Sequence, residues 1–154
     1  MIDVSHGLGM ETDAVITRMD DPIGKYVGNA LEVVEAIDTL AGRGPEDSVE
    51  IICALGAQLL LATGKASSRA EGVEMVKEQL VSGKALDNFS KMAKASHADK
   101  DVVDNLCNIN TPRDFLSKSD TITELTVSSN GFVERIKAMP IATVGNELGA
   151  GRAR

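Results

Sequence analysis

From Val49 to Ala62 the chain reads VEIICALGAQLLLA, interrupted only by Glu50 and Gln58. Pro45, Glu46 and Asp47 mark the start of this helix. Proline has a suitable φ in a first turn, and acids there suit the helix dipole. Gly64 closes it. A helix apolar nearly all round is expected to be deeply buried, so the rest of the chain must cover it on several sides. With 154 residues and 16.2 kDa there is enough chain for one domain with a core.

The segment before that helix reads as a strand, a turn and a second helix. DAVITRM (Asp13 to Met19) is a short β-branched run, followed by the turn DDPIG. Asn29 is a good N-cap, and Ala30, Leu31, Val33, Val34, Ile37 and Leu40 make an apolar stripe at helical spacing. Gly42 lies where a helix-ending glycine is favoured. Downstream, Ser68 and Glu71 have capping-box spacing before a helix facing Val73, Val76 and Leu80 inward. KALDNFSKMAKA places Leu86, Phe89 and Met92/Ala93 on one side. After His97 the pattern changes: DKDVVDNLCN makes a short helix and INTPRDFLSKSD a connection. TITELTVSSNGFVERIKA reads as two strands joined at Ser-Asn-Gly, and PIATVGNELGAGRAR as a short helix from Pro140, stopped by Gly149.

The fold class is therefore α/β, with helices packed on a mixed sheet and a C-terminal β-hairpin near 120–138 followed by a short helix. One strand at one end and a lone hairpin at the other make an incomplete sheet, so the chain reads as part of something longer.

Composition excludes some functions. A net charge of −7 argues against nucleic-acid and anionic-membrane partners, which need a basic face. One Tyr, three Phe and no Trp leave no stacking platform for single strands. Cys53 and Cys107 lack CxxC spacing and the density of a secreted disulfide scaffold; Cys53 reads as core, and nothing activates Cys107. MIDVSHGLGMETD is not a signal peptide, and the longest apolar stretch falls short of a membrane span. The expected location is the cytoplasm.

ITRMDDPIGKYVGNALEVVEAIDTLAGRGPED resembles the central signature of the thymidine and pyrimidine-nucleoside phosphorylase family. LGAQLLLATGKA is similar to the buried helix that follows there, and NGFVERIKAMPIATVGNELGAGR to the entry into the family's C-terminal region. The resemblance implies that residues 1–97 are part of the phosphorylase α/β domain, 98–119 a connection and 120–154 the start of the C-terminal subdomain. It also implies a transferase (a pentosyltransferase) of pyrimidine nucleoside salvage, acting on thymidine- or uridine-type nucleosides. No cofactor is required; phosphate is the co-substrate, and the full-length enzyme is a homodimer.

The family's phosphate cradle (a Lys- and Ser-bearing glycine-rich segment) and its base-binding histidine, arginine and Ser-Lys pair have no match here. This chain alone is expected to be inactive, with no catalytic residue assigned. A nucleoside-monophosphate phosphorylase and a non-catalytic short form pairing with a full-length subunit stand as alternatives. The latter predicts an exposed apolar surface and self-association.

The resemblance further implies a monovalent cation, potassium, bound by the backbone carbonyls of Ile23 and Tyr26 and the carboxylate of Glu35. Hard cations want oxygen ligands, and a turn can aim carbonyls at one point. Where the family usually has Gln and Leu, this chain has Asp21 and Ile23, so a charge is added nearby. Pattern alone reads Glu32 and Glu35 as the solvated face of a helix and Gly28 as permitting close packing. His6 falls where the family has a similar His-Gly loop, well downstream of its base-binding histidine, and is given no role; His97, Lys25, Lys65, Arg152 and Arg154 read as ordinary surface. GLGMET is a weak phosphate signal, because it precedes a strand instead of following one.

Overall fold

A computed structural model of the protein describes residues 1–111, 113, 115–116 and 118–150. It contains α1 (Ile2–Gly7), α2 (Asn29–Leu40), α3 (Glu46–Ala62), α4 (Arg69–Val81), α5 (Lys84–Ala95), α6 (Lys100–Cys107) and α7 (Ala138–Glu147).

The helix boundaries follow local chemistry. Ser68 Oγ accepts from the Glu71 N–H at 3.2 Å, while the Glu71 carboxylate reaches back to the Ser67 N–H at 2.8 Å. Two orphan donors at the start of α4 are thereby satisfied. Asp99 caps α6 by accepting from the Val102 N–H at 3.0 Å. Gly28, not Asn29, is the N-cap of α2, with Asn29 its first helical residue. α7 starts at Ala138, two residues before Pro140; a proline there costs no helical bond, because the first-turn N–H groups have no partner in any case. Gly42, Gly64 and Gly149 follow their helices with φ of +76°, +66° and +88°, the left-handed exit expected of glycine.

Packing centres on α3 against α4, with smaller contacts joining α5 to α6 and α4, and α2 to α5 and α6. Glycines set the α3–α4 approach. A Cβ on Gly72 would lie 2.9 Å from Ala57 Cα, and one on Gly56 would lie 2.7 Å from Val76 Cγ2. Ile37, Cys53, Ala57, Ala66, Leu80, Val103 and Leu106 form the buried core. Burying a side chain such as Ile37 is worth about 2 kcal/mol.

Three expectations are corrected. First, the expected mixed sheet and hairpin are absent among the described residues: neither 13–19 nor 121–137 is a strand. Strands are held by their neighbours, and an isolated hairpin is at best marginal. Neither run has a neighbour to pair with here, although Asp20 C=O accepts from the Ala138 N–H at 2.9 Å and so ties the two regions together. Second, α3 is not deeply buried. Only Cys53 and Ala57 are enclosed, and Leu55 and Leu59 are 47% and 66% exposed. α4 covers one face, Ile51, Ala54, Leu60 and Leu61 are half-buried, and Ile52, Leu55 and Leu59 face outward. Third, Met92 of α5 and Leu31 and Val33 of α2 are exposed, whereas Leu86, Phe89 and Ala93 are half-buried.

Candidate functional site

The run 13–19, neither helix nor strand, leads into a bent segment over 20–28 that is gripped by three carboxylates. Pro22 fixes φ at one residue of the turn, and Gly24 takes φ +75°. Glu32 Oε1 accepts from the Gly28 N–H at 2.9 Å. Glu35 Oε2 accepts from the Lys25 N–H at 2.7 Å. Asp47, in the first turn of α3, accepts the Gly24 N–H on Oδ2 at 2.9 Å and the Ser48 N–H on Oδ1 at 2.8 Å. The Gly24 bond is the main reason the Asp47 carboxyl is held below the usual carboxylate range. The positive φ favours glycine here, and a Cβ on Gly24 would also meet the Glu35 carboxylate, 2.8 Å from its Cδ, displacing that side chain from its bond to Lys25.

Ile23, Tyr26 and Glu35 line one cavity of about 590 Å³, shared with Glu32, Ile52 and Phe89. Thr39, buried on the same helix, donates through Oγ1 to the Glu35 carbonyl at 2.7 Å. Among the described residues no group of three or more His, Cys, Asp or Glu side chains converges to hold a metal ion. A cation in this cavity would therefore be held by carbonyls, with carboxylate help. Two carbonyls and a carboxylate are hard, weakly charged donors, which suit a hard monovalent ion better than a transition metal. A carboxylate has about four acceptor positions, so the bond from Lys25 leaves Glu35 capacity to spare. Ile23, Tyr26 and Glu35, the residues that carry such donors, thus border one cavity.

Of the other candidates, only Lys25 adjoins this cavity, through its N–H on Glu35. Asp21 is ion-paired with Arg18, which offsets its added charge. His6 Nε2 lies 3.1 Å from the Thr12 carbonyl oxygen, so the ring is engaged by its own loop. His97 is exposed at φ +65° after α5, and Lys25 and Lys65 are exposed. Burial pushes the Cys53 and Cys107 thiols up, which favours the unreactive form. Arg152 and Arg154 lie outside the described residues. Asp47 was readable from sequence only as a helix-dipole acid. Its grip on Gly24 spans 23 residues and leaves no local signature.

A family model described as "Glycosyl transferase family, a/b domain" matches residues 2–86. Pyrimidine-nucleoside phosphorylase of Geobacillus stearothermophilus is 39% identical over 153 residues, 99% of this chain and 34% of that protein. Thymidine phosphorylase of Homo sapiens is 37% identical over 156 residues, covering 100% of this chain and 32% of the human protein. Pyrimidine-nucleoside phosphorylase of Staphylococcus haemolyticus is 34% identical over 152 residues, with 99% and 34% covered. The chain thus spans about a third of the length of the curated relatives it matches, and the likeness read in GNALEVVEAI extends along its whole length. No described helix is long and apolar enough to cross a membrane.

Proposed function

Because the chain belongs to the glycosyl transferase family, a/b domain, we propose that it serves as one segment of a pyrimidine nucleoside phosphorylase. One observation carries this reading: identity of 39% and 37% along the full chain to proteins of that activity. In the reaction a phosphate oxygen bonds to the anomeric carbon as the glycosidic C–N bond breaks. The bonding pair leaves on the pyrimidine nitrogen, which takes up a proton, giving free base and pentose 1-phosphate. Catalysis requires cationic and N–H donors for the phosphate and a closed cleft for the electron-poor sugar.

This chain's part is structural and electrostatic. The Ile23 and Tyr26 carbonyls and the Glu35 carboxylate would hold a potassium ion, whose charge would help order a phosphate-binding loop. The turn's own contribution is to keep those oxygens on one side of a rigid bend. Residues 1–97 belong to the α/β domain of the assembled enzyme, 98–119 connect, and 120–154 begin a C-terminal subdomain. In that setting 13–19 and 121–137 become strands by pairing with neighbours. The enzyme acts as a cytoplasmic homodimer, and the 154-residue chain by itself lacks phosphate- and base-binding residues.

The test is release of thymine or uracil from thymidine or uridine in phosphate buffer, after intact-mass measurement of the endogenous protein. An endogenous species well above 16.2 kDa that releases base, beside an inactive 154-residue chain, is the expected result. A sole 16.2 kDa species without phosphorolysis would overturn it. The exposed apolar face of α3 favours, as the second reading, a non-catalytic chain that associates with a full-length subunit. That reading predicts co-elution with the larger protein.

A further inference from the structure

The carbonyl of Ile23 and the N–H of Gly24 belong to one planar peptide unit, and no peptide bond among the described residues is cis. In a trans unit the C=O and N–H point in opposite directions. Whatever holds the Gly24 N–H therefore decides where the Ile23 oxygen points. That holder is Asp47 Oδ2, at 2.9 Å, reaching from the first turn of α3. The next N–H along, that of Lys25, is held at 2.7 Å by Glu35 from α2. Two consecutive amides are thus gripped by carboxylates from two different helices, and the turn is fixed from both sides. The Ser48 N–H on Oδ1 keeps the Asp47 carboxylate in place.

We propose that Asp47 is a positioning residue that, by holding the Gly24 N–H, fixes the plane of the Ile23–Gly24 peptide and with it the direction of the Ile23 carbonyl beside the cavity lined by Ile23, Tyr26, Glu35 and Ser48. The consequence for potassium rests on the cation reading given above; the orientation of the peptide does not. Asp47 touches no ligand itself. Its role is to remove the freedom of one peptide plane to flip, the motion that Gly24 would otherwise make easy.

The experiment compares the 154-residue chain with Asp47→Ala and Asp47→Asn, reading backbone amides by NMR during titration with KCl against LiCl at fixed ionic strength. Asn keeps an oxygen acceptor for Gly24 but not the charge. Asp47→Ala should speed exchange of the Gly24 amide about five- to tenfold and weaken the potassium-specific response, with the Lys25 amide still protected. Asp47→Asn should retain both. If Gly24 exchanges in Asp47→Ala as it does in the parent, the proposal is overturned. It is equally overturned if Asp47→Asn loses the potassium response while Gly24 stays protected, because charge alone would then explain the effect. If the parent shows no potassium-specific response but Asp47→Ala frees Gly24, the cation reading fails and the positioning role stands.

Discussion

Arg113 donates to both oxygens of Asp38, at 3.1 and 3.2 Å, and thereby fastens the segment after α6 to the last turns of α2. Arg43 adds a third bond to the same carboxylate at 2.6 Å. The Arg113 side chain is only 16% exposed, and its Nε is buried without a partner among the described residues, so the pairing with Asp38 carries most of its compensation. Removing the negative charge and one of the two acceptor oxygens leaves a largely buried cation uncompensated. Asp38→Asn is expected to cost about 2 kcal/mol, measured by urea unfolding at pH 7, and Arg113→Lys to recover less than half of the pairing, because Lys lacks the planar fork.

The same pair predicts a pH dependence. Partial burial works to raise the Asp38 carboxyl, but the hydrogen bonds and charges of Arg113 and Arg43 outweigh it and leave the group below its ordinary 3.8. A folded-state value below the unfolded one contributes stability that is present above pH 3.8 and lost as pH falls through the lower folded value. The stability gap between parent and Asp38→Asn should therefore be full well above pH 3.8 and close progressively as pH falls below it. A gap that stays constant into acid would show that the carboxylate charge is not what holds Arg113.

Where glycines set helix spacing, adding a methyl should act in opposite directions at two sites. Gly72→Ala forces α4 off Ala57, whose Cα would lie 2.9 Å from the new carbon, and backbone cannot step aside. The gain in helix propensity is about 1 kcal/mol, and overpacking costs about 1–3 kcal/mol, so the net effect should be destabilising. Gly145→Ala in α7 meets Val27 Cγ1 at 3.6 Å and Ala150 Cβ at 3.9 Å, both ordinary contacts, and should be neutral or stabilising by up to about 1 kcal/mol. Equal effects in thermal unfolding would contradict the α3–α4 packing described above.

Local signals made the helices from α2 onward legible in the sequence, whereas α1 was not read. Ser68, Gly42, Gly64 and Gly149 each announce a terminus through chemistry confined to a few residues. The strands were not recoverable in the same way, since DAVITRM has strand composition but only a neighbour can make it a strand. The burial of α3 was misjudged for a related reason: uniform apolarity states what a helix needs, not what surrounds it. At the turn, Glu35 was found through resemblance, whereas Asp47 was hidden because its bond to Gly24 joins two elements and follows no periodicity.

Gly24 and Glu35 should be energetically coupled. Gly24→Ala places a side chain at φ +75° and drives it into the Glu35 carboxylate, so a loss of about 2 kcal/mol is expected from backbone strain and displacement together. Glu35→Ala removes the obstacle along with the Lys25 bond. The double variant should therefore be less destabilised than the sum of the singles by about 0.5–1 kcal/mol. Strict additivity in a double-mutant cycle would mean that the carboxylate swings clear at no cost and does not pin the turn.

Ile52, Leu55 and Leu59 fall at helical spacing on α3 and are all exposed, Leu59 by 66%. A contiguous apolar stripe facing outward tends to find cover, from other protein or from a second copy. Replacing Leu55 and Leu59 by Gln removes that stripe without opening a cavity, since neither side chain is enclosed. Unfolding free energy should change by less than about 0.5 kcal/mol per site, while self-association, followed by sedimentation velocity across a range of concentrations, should fall clearly. Unchanged association would mean that the chains meet through other surfaces, with Ile122, Leu125, Val127 and Phe132 the next to replace, all of them exposed in the segment between α6 and α7. A large loss of stability in dilute solution would instead show that this face of α3 is covered within a single chain.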